Sequence, residues 1–198
     1  MTYHFQYPST AHSLRLALAD DAFYQTMLGA ADSNTKMLDA YLDYAMQEAL
    51  EFGQLTLCAR PDQGAAIWSL PVSELKNQAK NDAKKAFLLT HMGLTSLNTY
   101  QAITGFMSQQ AQGIVNDNDW YLSILGIHPS QQGKGLGKQL LMPALKQADN
   151  AGKACYLETF TPANMSFYAR LGFVACHQAY EPTCQHHYWV MRRQPQRN

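Results

Sequence analysis

Residues 120–173 read WYLSILGIHPSQQGKGLGKQLLMPALKQADNAGKACYLETFTPANMSFYARLGF, and the order of signals in this stretch decides the fold. It opens with Trp120 to Ile127, a nearly continuous apolar run that His128-Pro129 ends. Such a run, bounded by turn chemistry, reads as a buried strand. Ser130 to Gly137 is a glycine-rich turn. Leu136, Leu140, Leu141, Ala144, Leu145 and Ala148 then line one face of a helix, which Asn150-Ala151-Gly152 closes. Ala154 to Thr159 is the next strand, and Pro162 to Arg170 a short helix stopped by Gly172. Phe173 to Tyr180 and Tyr188 to Arg192 are two further strands. The order β-α-β-α-β-β predicts a mixed α/β architecture, a sheet with helices packed on it. Pro143 conflicts locally with its helix, because it removes one hydrogen bond at a usual cost of ~3 kcal/mol.

Upstream, the pattern is mostly helical. Ala11 to Leu28 carries Leu14, Leu18 and Ala22 at helical spacing. Asn34 to Phe52 carries a wide apolar stripe that Asp32, Ser33 or Asn34 can cap and Gly53 can end. A hairpin follows: Leu55 to Ala59, a turn over Arg60-Pro61-Asp62-Gln63-Gly64, and Ala65 to Leu70 closed by Pro71. Ser73 to Ser108 reads as one or two helices with a break near Gly93, and Gln109 to Asp119 as a polar loop.

The chain has 198 residues, the size of one domain with a sizeable core. Lys plus Arg equals Asp plus Glu, 15 each, so the basic excess of a nucleic-acid binder is missing. Charged residues make up 15%, against ~25% in ordinary soluble domains. Long-range steering is therefore weak and no highly charged macromolecular partner is expected. No run of ~18 apolar residues predicts a membrane span, and the start lacks a secretory pattern. Cys58, Cys155, Cys176 and Cys184 show no C-x-x-C spacing and read as buried free thiols. The expectation is a cytoplasmic protein.

The glycine turn carries the chemistry. Glycines just before a helix place unpaired backbone N–H groups and a partial positive charge where a phosphate can sit. Gly133, Gly135 and Gly137 allow close approach and unusual dihedrals, and Lys134 and Lys138 add charge. The P-loop pattern fails, because Gln132 and Gln139 stand where Gly and Ser or Thr are needed. The dinucleotide pattern fails too, because Lys138 or Leu140 stands at the third glycine place. What fits is Gln/Arg-x-x-Gly-x-Gly/Ala, as Gln132, Gly135 and Gly137. Downstream, NMSFYARLGF sets Asn164, Tyr168, Gly172 and Phe173 at the spacing Asn-x-x-x-Tyr-x-x-x-Gly-Phe.

These two patterns, in this order, resemble the GNAT N-acetyltransferase family. Gln-Gly-Lys-Gly-Leu-Gly, the helix proline and Leu-Glu-Thr on the next strand are similar to the subgroup that includes puromycin N-acetyltransferase. The likeness is close over Trp120 to Phe173 and loose over the first 50 residues and Ser73 to Asp119. The resemblance implies the GNAT acyl-CoA N-acyltransferase fold, a central mixed sheet flanked by helices on both faces. It implies one domain over residues 1–198, with an acceptor side up to about 118 and a cofactor side from about 119. It implies that the helix tolerates Pro143.

It further implies acetyl-CoA as co-substrate and no metal. Gln132, Gly133, Lys134, Gly135, Leu136, Gly137 and Lys138 would hold the pyrophosphate. Leu125, Gly126 and Ile127 map to the bulged strand that pairs with the pantetheine arm, and Leu125 or a neighbour would offer its N–H to the oxyanion. Gly126 suits a bulge or a close backbone approach. Tyr168 is the general-acid candidate, against a plain packing role. Asn164 caps the short helix or bonds the cofactor. Glu158 is the candidate base for the acceptor amine, with a structural hydrogen-bonding role left open. Cys176, His177, Cys184, His186 and His187 match no known ligand spacing and read as strand edge and loop. His91 and His128 read as structural, and Trp68 and Trp120 as core. The expected acceptor is a small-molecule amine. The alternatives are a CoA-binding sensor without turnover and an enzyme acting on protein amines. The sequence leaves the oligomeric state open, a homodimer included.

Overall fold

Two polar caps divide the N-terminal third into three helices. The computed structural model describes residues 3–196. Helix α1 spans Pro8–Ala17, with proline in its first turn where the missing N–H costs nothing. The stretch Ala11 to Leu28, expected as one helix, breaks after Leu18. The Asp21 carboxylate accepts the Phe23 N–H at 3.0 Å and starts a new helix, α2, Ala22–Ala30. Asn34 likewise accepts the Lys36 N–H at 3.1 Å and caps α3, Thr35–Phe52.

The hairpin consists of β1, Gly53–Leu57, and β2, Gly64–Ser69, so Gly53 opens the strand as well as ending the helix. Helix α4, Glu74–Ala111, breaks at Gly93, whose φ of 83° only glycine adopts readily. It runs past Ser108 into the segment expected as loop. Strand β3, Trp120–Ile127, leads through a short turn to α5, Leu136–Asn150. Strand β4, Cys155–Thr159, leads to α6, Pro162–Ala169. Strands β5, Val174–Glu181, and β6, His186–Arg193, close the chain. Pro143 does not interrupt α5. It faces solvent together with Gln139, so the carbonyl that loses its partner is open to water.

Among the described residues six strands form one mixed sheet in the order β1-β2-β3-β4-β6-β5, in which β3 and β4 are the parallel pair. One face buries α1, α3 and α4 around Leu14, Leu42, Met46, Ile67, Leu88 and Ile124. The other face buries α5 around Trp68, Leu122, Leu141, Leu145, Leu157 and Phe173. A third cluster joins α2 and the second half of α4 to Tyr188 and Val190 of β6. Of the thiols, Cys155 and Cys184 are buried, whereas Cys176 lies exposed on edge strand β5, against the expectation of burial. Among the described residues no helix is long and apolar enough to cross a membrane.

The bulge expected near Gly126 falls at Ser123. Trp68 pairs with Leu122 and Ile67 with Ile124, so Ser123 has no opposite residue. The extra residue inverts the pleat. Leu122 packs on the α5 face and Ile124 on the α1 face, two positions that regular alternation would put together. Gly126 serves the close approach instead: a Cβ there would lie 2.7 Å from Leu14 Cδ2 and 3.2 Å from Ala17 Cβ.

Gly64, at φ 140°, sits where a Cβ would come within 2.1 Å of the Gly126 carbonyl oxygen. Gly64→Ala should cost about 2–3 kcal/mol or more in a urea titration, since neither backbone can yield. Gly152→Ala, at φ 64° but in open space, should cost only about 1 kcal/mol. Equal losses would refute the close approach of the two strands.

Candidate functional site

The site begins where β3 and β4 part. Their parallel pairing covers Trp120↔Cys155, Tyr121↔Tyr156 and Leu122↔Leu157, and then stops. Beyond it β3 continues through Ser123 to Ile127 beside β2, while β4 continues through Glu158 and Thr159 beside β6. A wedge opens between the strands, with Ser123, Leu125 and their neighbours on one wall and Glu158 on the other.

At the mouth of β3 the chain forms the glycine turn. Gln132 donates its side-chain amide to the Ile127 carbonyl at 3.1 Å, tying the turn to the strand end. Gly133 and Gly135 have φ of 77° and 78°, with open space where a Cβ would go. Gly135 is the N-cap of α5 in a left-handed conformation, and no side chain among the described residues caps the helix. The first helical bond runs from the Gln139 N–H to the Gly135 carbonyl, 3.1 Å. The amides of Leu136, Gly137 and Lys138 thus remain available at the positive end of a helix. The turn fits an anionic diphosphate: open glycines and unspent donors converge, with no acidic residue in the first helical turn. Gly137 has another task. A Cβ there would meet Phe167 Cζ at 3.2 Å, so it lets α6 pack on α5. Lys134 donates to Gln131 at 2.9 Å. Lys138 is exposed beside the turn.

Glu158 points to the α2–α4 side of the sheet, level with Val190 on β6. Its Oε1 is shut off from solvent and has no hydrogen-bond partner among the described residues. Burial pushes its carboxyl from the ordinary 4.5 up to about 7, and hydrogen bonding from the Tyr121 hydroxyl opposes part of that rise. Tyr121 stacks on Tyr156, ring centroids 4.6 Å apart and planes within 20°. A carboxyl titrating near neutrality with one oxygen free suits proton abstraction from an amine.

Tyr168 lies on α6, which follows β4. It is buried, with its ring edge-on to Phe167 and Phe173. Burial, then the nearby Asp21 carboxylate, pushes its hydroxyl well above the usual phenol range. A phenol kept protonated is a proton donor at neutral pH. Asn164 does not cap α6. Thr161 stands at the cap and Asn164 is exposed one turn in, its N–H bonded to the Thr161 carbonyl at 3.0 Å. The helix entry is fixed instead by the Thr159 hydroxyl, which accepts the Thr161 N–H at 3.1 Å.

Sequence reasoning missed Tyr121, Tyr24 and Asp21. Asp21 lies among Thr161, Tyr168 and His186, with its carboxyl raised by burial. The only signal in the sequence was the alternation Tyr156-Leu-Glu158, which puts a tyrosine and a carboxylate on one strand face. Of the other candidates, Trp68 is fully buried in the core, and His128 Nδ1 lies 2.9 Å from the Ser130 hydroxyl within the turn.

The raised Glu158 carboxyl makes a stability prediction. A folded-state value above the unfolded one favours folding below about pH 4.5 and loses that contribution as pH rises through about 7. Glu158→Gln is neutral throughout. It should gain roughly 2–3 kcal/mol relative to the parent between pH 4.5 and pH 8.5, read from thermal melts at both. A pH-independent difference would mean that Glu158 ionises freely.

Residues 73–173, just over half of the chain, match the Acetyltransferase (GNAT) family. An uncharacterized N-acetyltransferase of Schizosaccharomyces pombe is 36% identical over 59 residues, 30% of this chain. The chain spans about a quarter of that relative's length, 24%. Two solved structures resemble it over nearly all of both chains. One is a histone acetyltransferase HPA2 and related acetyltransferase from Corynebacterium glutamicum, with TM-score 0.68 and 18% identity over 100% of this chain and 95% of that one. The other is arylalkylamine N-acetyltransferase 2 from Aedes aegypti, with TM-score 0.56 and 14% identity over 98% of each chain. At such identities the likeness is one of fold, the mixed sheet with helices on both faces. The matched family, the shared architecture and the glycine turn ahead of α5 agree: the chain belongs to the GNAT acetyltransferase family.

Proposed function

We propose that the protein transfers an acetyl group from acetyl-CoA to the amine of a small molecule, by direct attack within a ternary complex. The observation that carries this reading is the wedge between β3 and β4. It has unspent helix-start amides at its mouth and the free Oε1 of Glu158 on its wall.

Acetyl-CoA, when bound, supplies an activated thioester acyl group. The amides of residues 133–138 and the charges of Lys134 and Lys138 would hold its diphosphate, with Gln132 keeping the turn in place. Leu125, Gly126 and Ile127 would run beside the pantetheine arm, and a backbone N–H near Leu125 would face the developing oxyanion. Glu158 would take the proton of the attacking ammonium, directly or through water. Tyr168 would protonate the departing sulfur. Asn164, exposed on α6, could contribute only at the cofactor's edge.

The acceptor side is aromatic. Phe23 contacts Tyr24 at 5.1 Å between ring centroids, Tyr41 at 6.5 Å and Tyr100 at 6.3 Å. Tyr121 and Tyr156 continue the wall toward Glu158. Such a wall suits an amine on a flat apolar body, held by ring contact and cation–π attraction. The likeness to the subgroup with puromycin N-acetyltransferase rests on Trp120 to Phe173 and leaves acceptor choice to α2, α3 and α4.

Acetyl transfer to tyramine, tryptamine, spermidine and an alanyl peptide, read as thiol release, tests the reading. We expect turnover with an aromatic amine and kcat/KM rising as pH passes through about 7, where the Glu158 carboxyl loses its proton. Tyr168→Phe should lower kcat at least about tenfold with little change in CoA affinity. Gly135→Val, forced into φ 78°, should weaken CoA binding about tenfold or more by calorimetry. CoA binding without thiol release for any amine would favour a sensor, and turnover of the peptide alone a protein acetyltransferase. Absence of CoA binding would end the proposal.

A further inference from the structure

Three buried polar atoms that lack partners among the described residues lie along one line of the sheet: Glu158 Oε1, the Tyr188 hydroxyl and Glu181 Oε1. The strand register places them there. Glu158 pairs with Val190, so Tyr188, two residues along β6 on the same face, is its diagonal neighbour. Tyr188 pairs with Ala179, so Glu181, two residues along β5, is the diagonal neighbour on its far side. Diagonal partners lie ~7–8 Å apart, within reach of long side chains. Tyr188 and Glu181 are both fully buried, at 0% exposure. Phe160 packs against the Tyr188 ring at 5.3 Å.

Neither residue has a structural explanation that uses all its polar atoms. Glu181 Oε2 accepts the Cys184 N–H at 2.5 Å and so shapes the turn between β5 and β6, but Oε1 has no such use. Phenylalanine would fill the Tyr188 position with no orphaned hydroxyl. An unpartnered polar group in a protein interior is destabilising unless water satisfies it. Neighbouring orphans along this line, Glu158 beside Tyr188 and Tyr188 beside Glu181, are the setting in which an internal water gains the partners it needs.

We propose that Tyr188 and Glu181, joined to Glu158 by bridging water, form the exit path for the proton that Glu158 takes from the acceptor amine. The inference rests on the reading of Glu158 as base. The ammonium N–H bond breaks and its proton forms a bond to the Glu158 carboxylate. Water takes that proton and hands another to Tyr188, whose hydroxyl accepts one proton as it releases its own toward Glu181. Glu158 returns to its carboxylate form and Glu181 ends protonated, beside a turn where Gln185 and His186 are exposed to solvent. The path lets the base reset while bound ligands fill the wedge. The other titratable groups facing it are Tyr121 on β3, Tyr156 on β4, Tyr24 and Asp21 at α2, and Cys184 and His186 at the turn.

The test combines a high-resolution crystal structure of the full chain with turnover of acetyl-CoA and tyramine. Ordered water should bridge Glu158 Oε1 to the Tyr188 hydroxyl. Tyr188→Phe and Glu181→Gln should each lower kcat about tenfold, leave the KM for acetyl-CoA unchanged and enlarge the solvent deuterium isotope effect on kcat. The double variant should lose no more than either single one, because both cut the same path. Glu181→Asp, still ionisable, should recover part of the loss, which a purely structural role at the turn would not produce. A folded Tyr188→Phe protein with the parent kcat and isotope effect overturns the relay, as does a dry space between the three groups. Full activity in Glu158→Gln removes instead the base on which the relay rests. Should tyramine not be turned over, the crystal density alone decides.

Discussion

Only three residue pairs hold β3 to β4, and the rest of the site depends on where that pairing stops. Parallel strands bury both faces and ordinarily pair along their length. Here the unmatched Ser123 inverts the pleat of β3 just past the last paired residue and leaves its outer half with β2 alone. The same residue decides which side chains face which layer. Before it, Leu122 belongs to the α5 core. After it, Ile124 and Gly126 turn to α1, and Leu125 turns to α5. A regular strand would present Gly126 to α5 and leave α1 without its close seat. The Ser123 hydroxyl donates to the Ile67 carbonyl at 3.1 Å and so secures the bulge against β2.

The wedge is also an electrostatic arrangement. A carboxyl in apolar surroundings resists ionisation, and Glu158 is displaced upward to about 7 for that reason. The same burial holds Tyr168 and Tyr121 protonated, since a phenolate would be still less tolerable there. One environment therefore yields a base that is half-ready near neutral pH and phenols that stay proton donors. Under the proposed chemistry these are the two states that amine attack and thiol departure require. The helix-start amides at the other end contribute fixed partial charge, with no titration at all.

What could be read from the sequence follows from whether the cause is local. The stripe of α5, a polar cap within Asp32 to Asn34 and the break near Gly93 each depend on residues within a turn or two. The structure places all three where periodicity and capping chemistry put them. Trp120 to Ile127 was legible as a bulged strand, but the bulge was expected near Gly126 and falls at Ser123, because a bulge is a relation to the partner strand and Ser123 alone carries no mark of it. The helical spacing across Leu18 concealed the break that Asp21 makes. Asn164 looked like a cap because Asn often is one, yet Pro162 fixes the first turn and Thr161 takes that place. Gly137 belonged to the phosphate pattern by spacing, while its own constraint comes from Phe167, thirty positions on. Tyr121, Tyr156 and Tyr188 read as ordinary apolar strand residues. Their relation to Glu158 exists only once the register is known.

The aromatic cluster carried on α3 and α4 is set by a different kind of interaction. Lys84 on α4 pairs with Glu48 on α3 at 3.2 Å, with both side chains largely buried. Its ammonium lies 5.3 Å from the Tyr41 ring centre and 5.1 Å from that of Tyr44. Burial alone would push a lysine toward its neutral form. The Glu48 carboxylate and the surrounding phenols outweigh it and raise the value instead. Removing either partner would strand the other in the interior, so the pair commits α3 and α4 to one relative position. Tyr41 and Tyr100, whose rings lie 6.3 Å apart, are carried on those two helices. The ion pair thus fixes that aromatic cluster independently of any ligand. Under the proposed chemistry, in which ring contact selects the acceptor, the geometry of that cluster discriminates among amines.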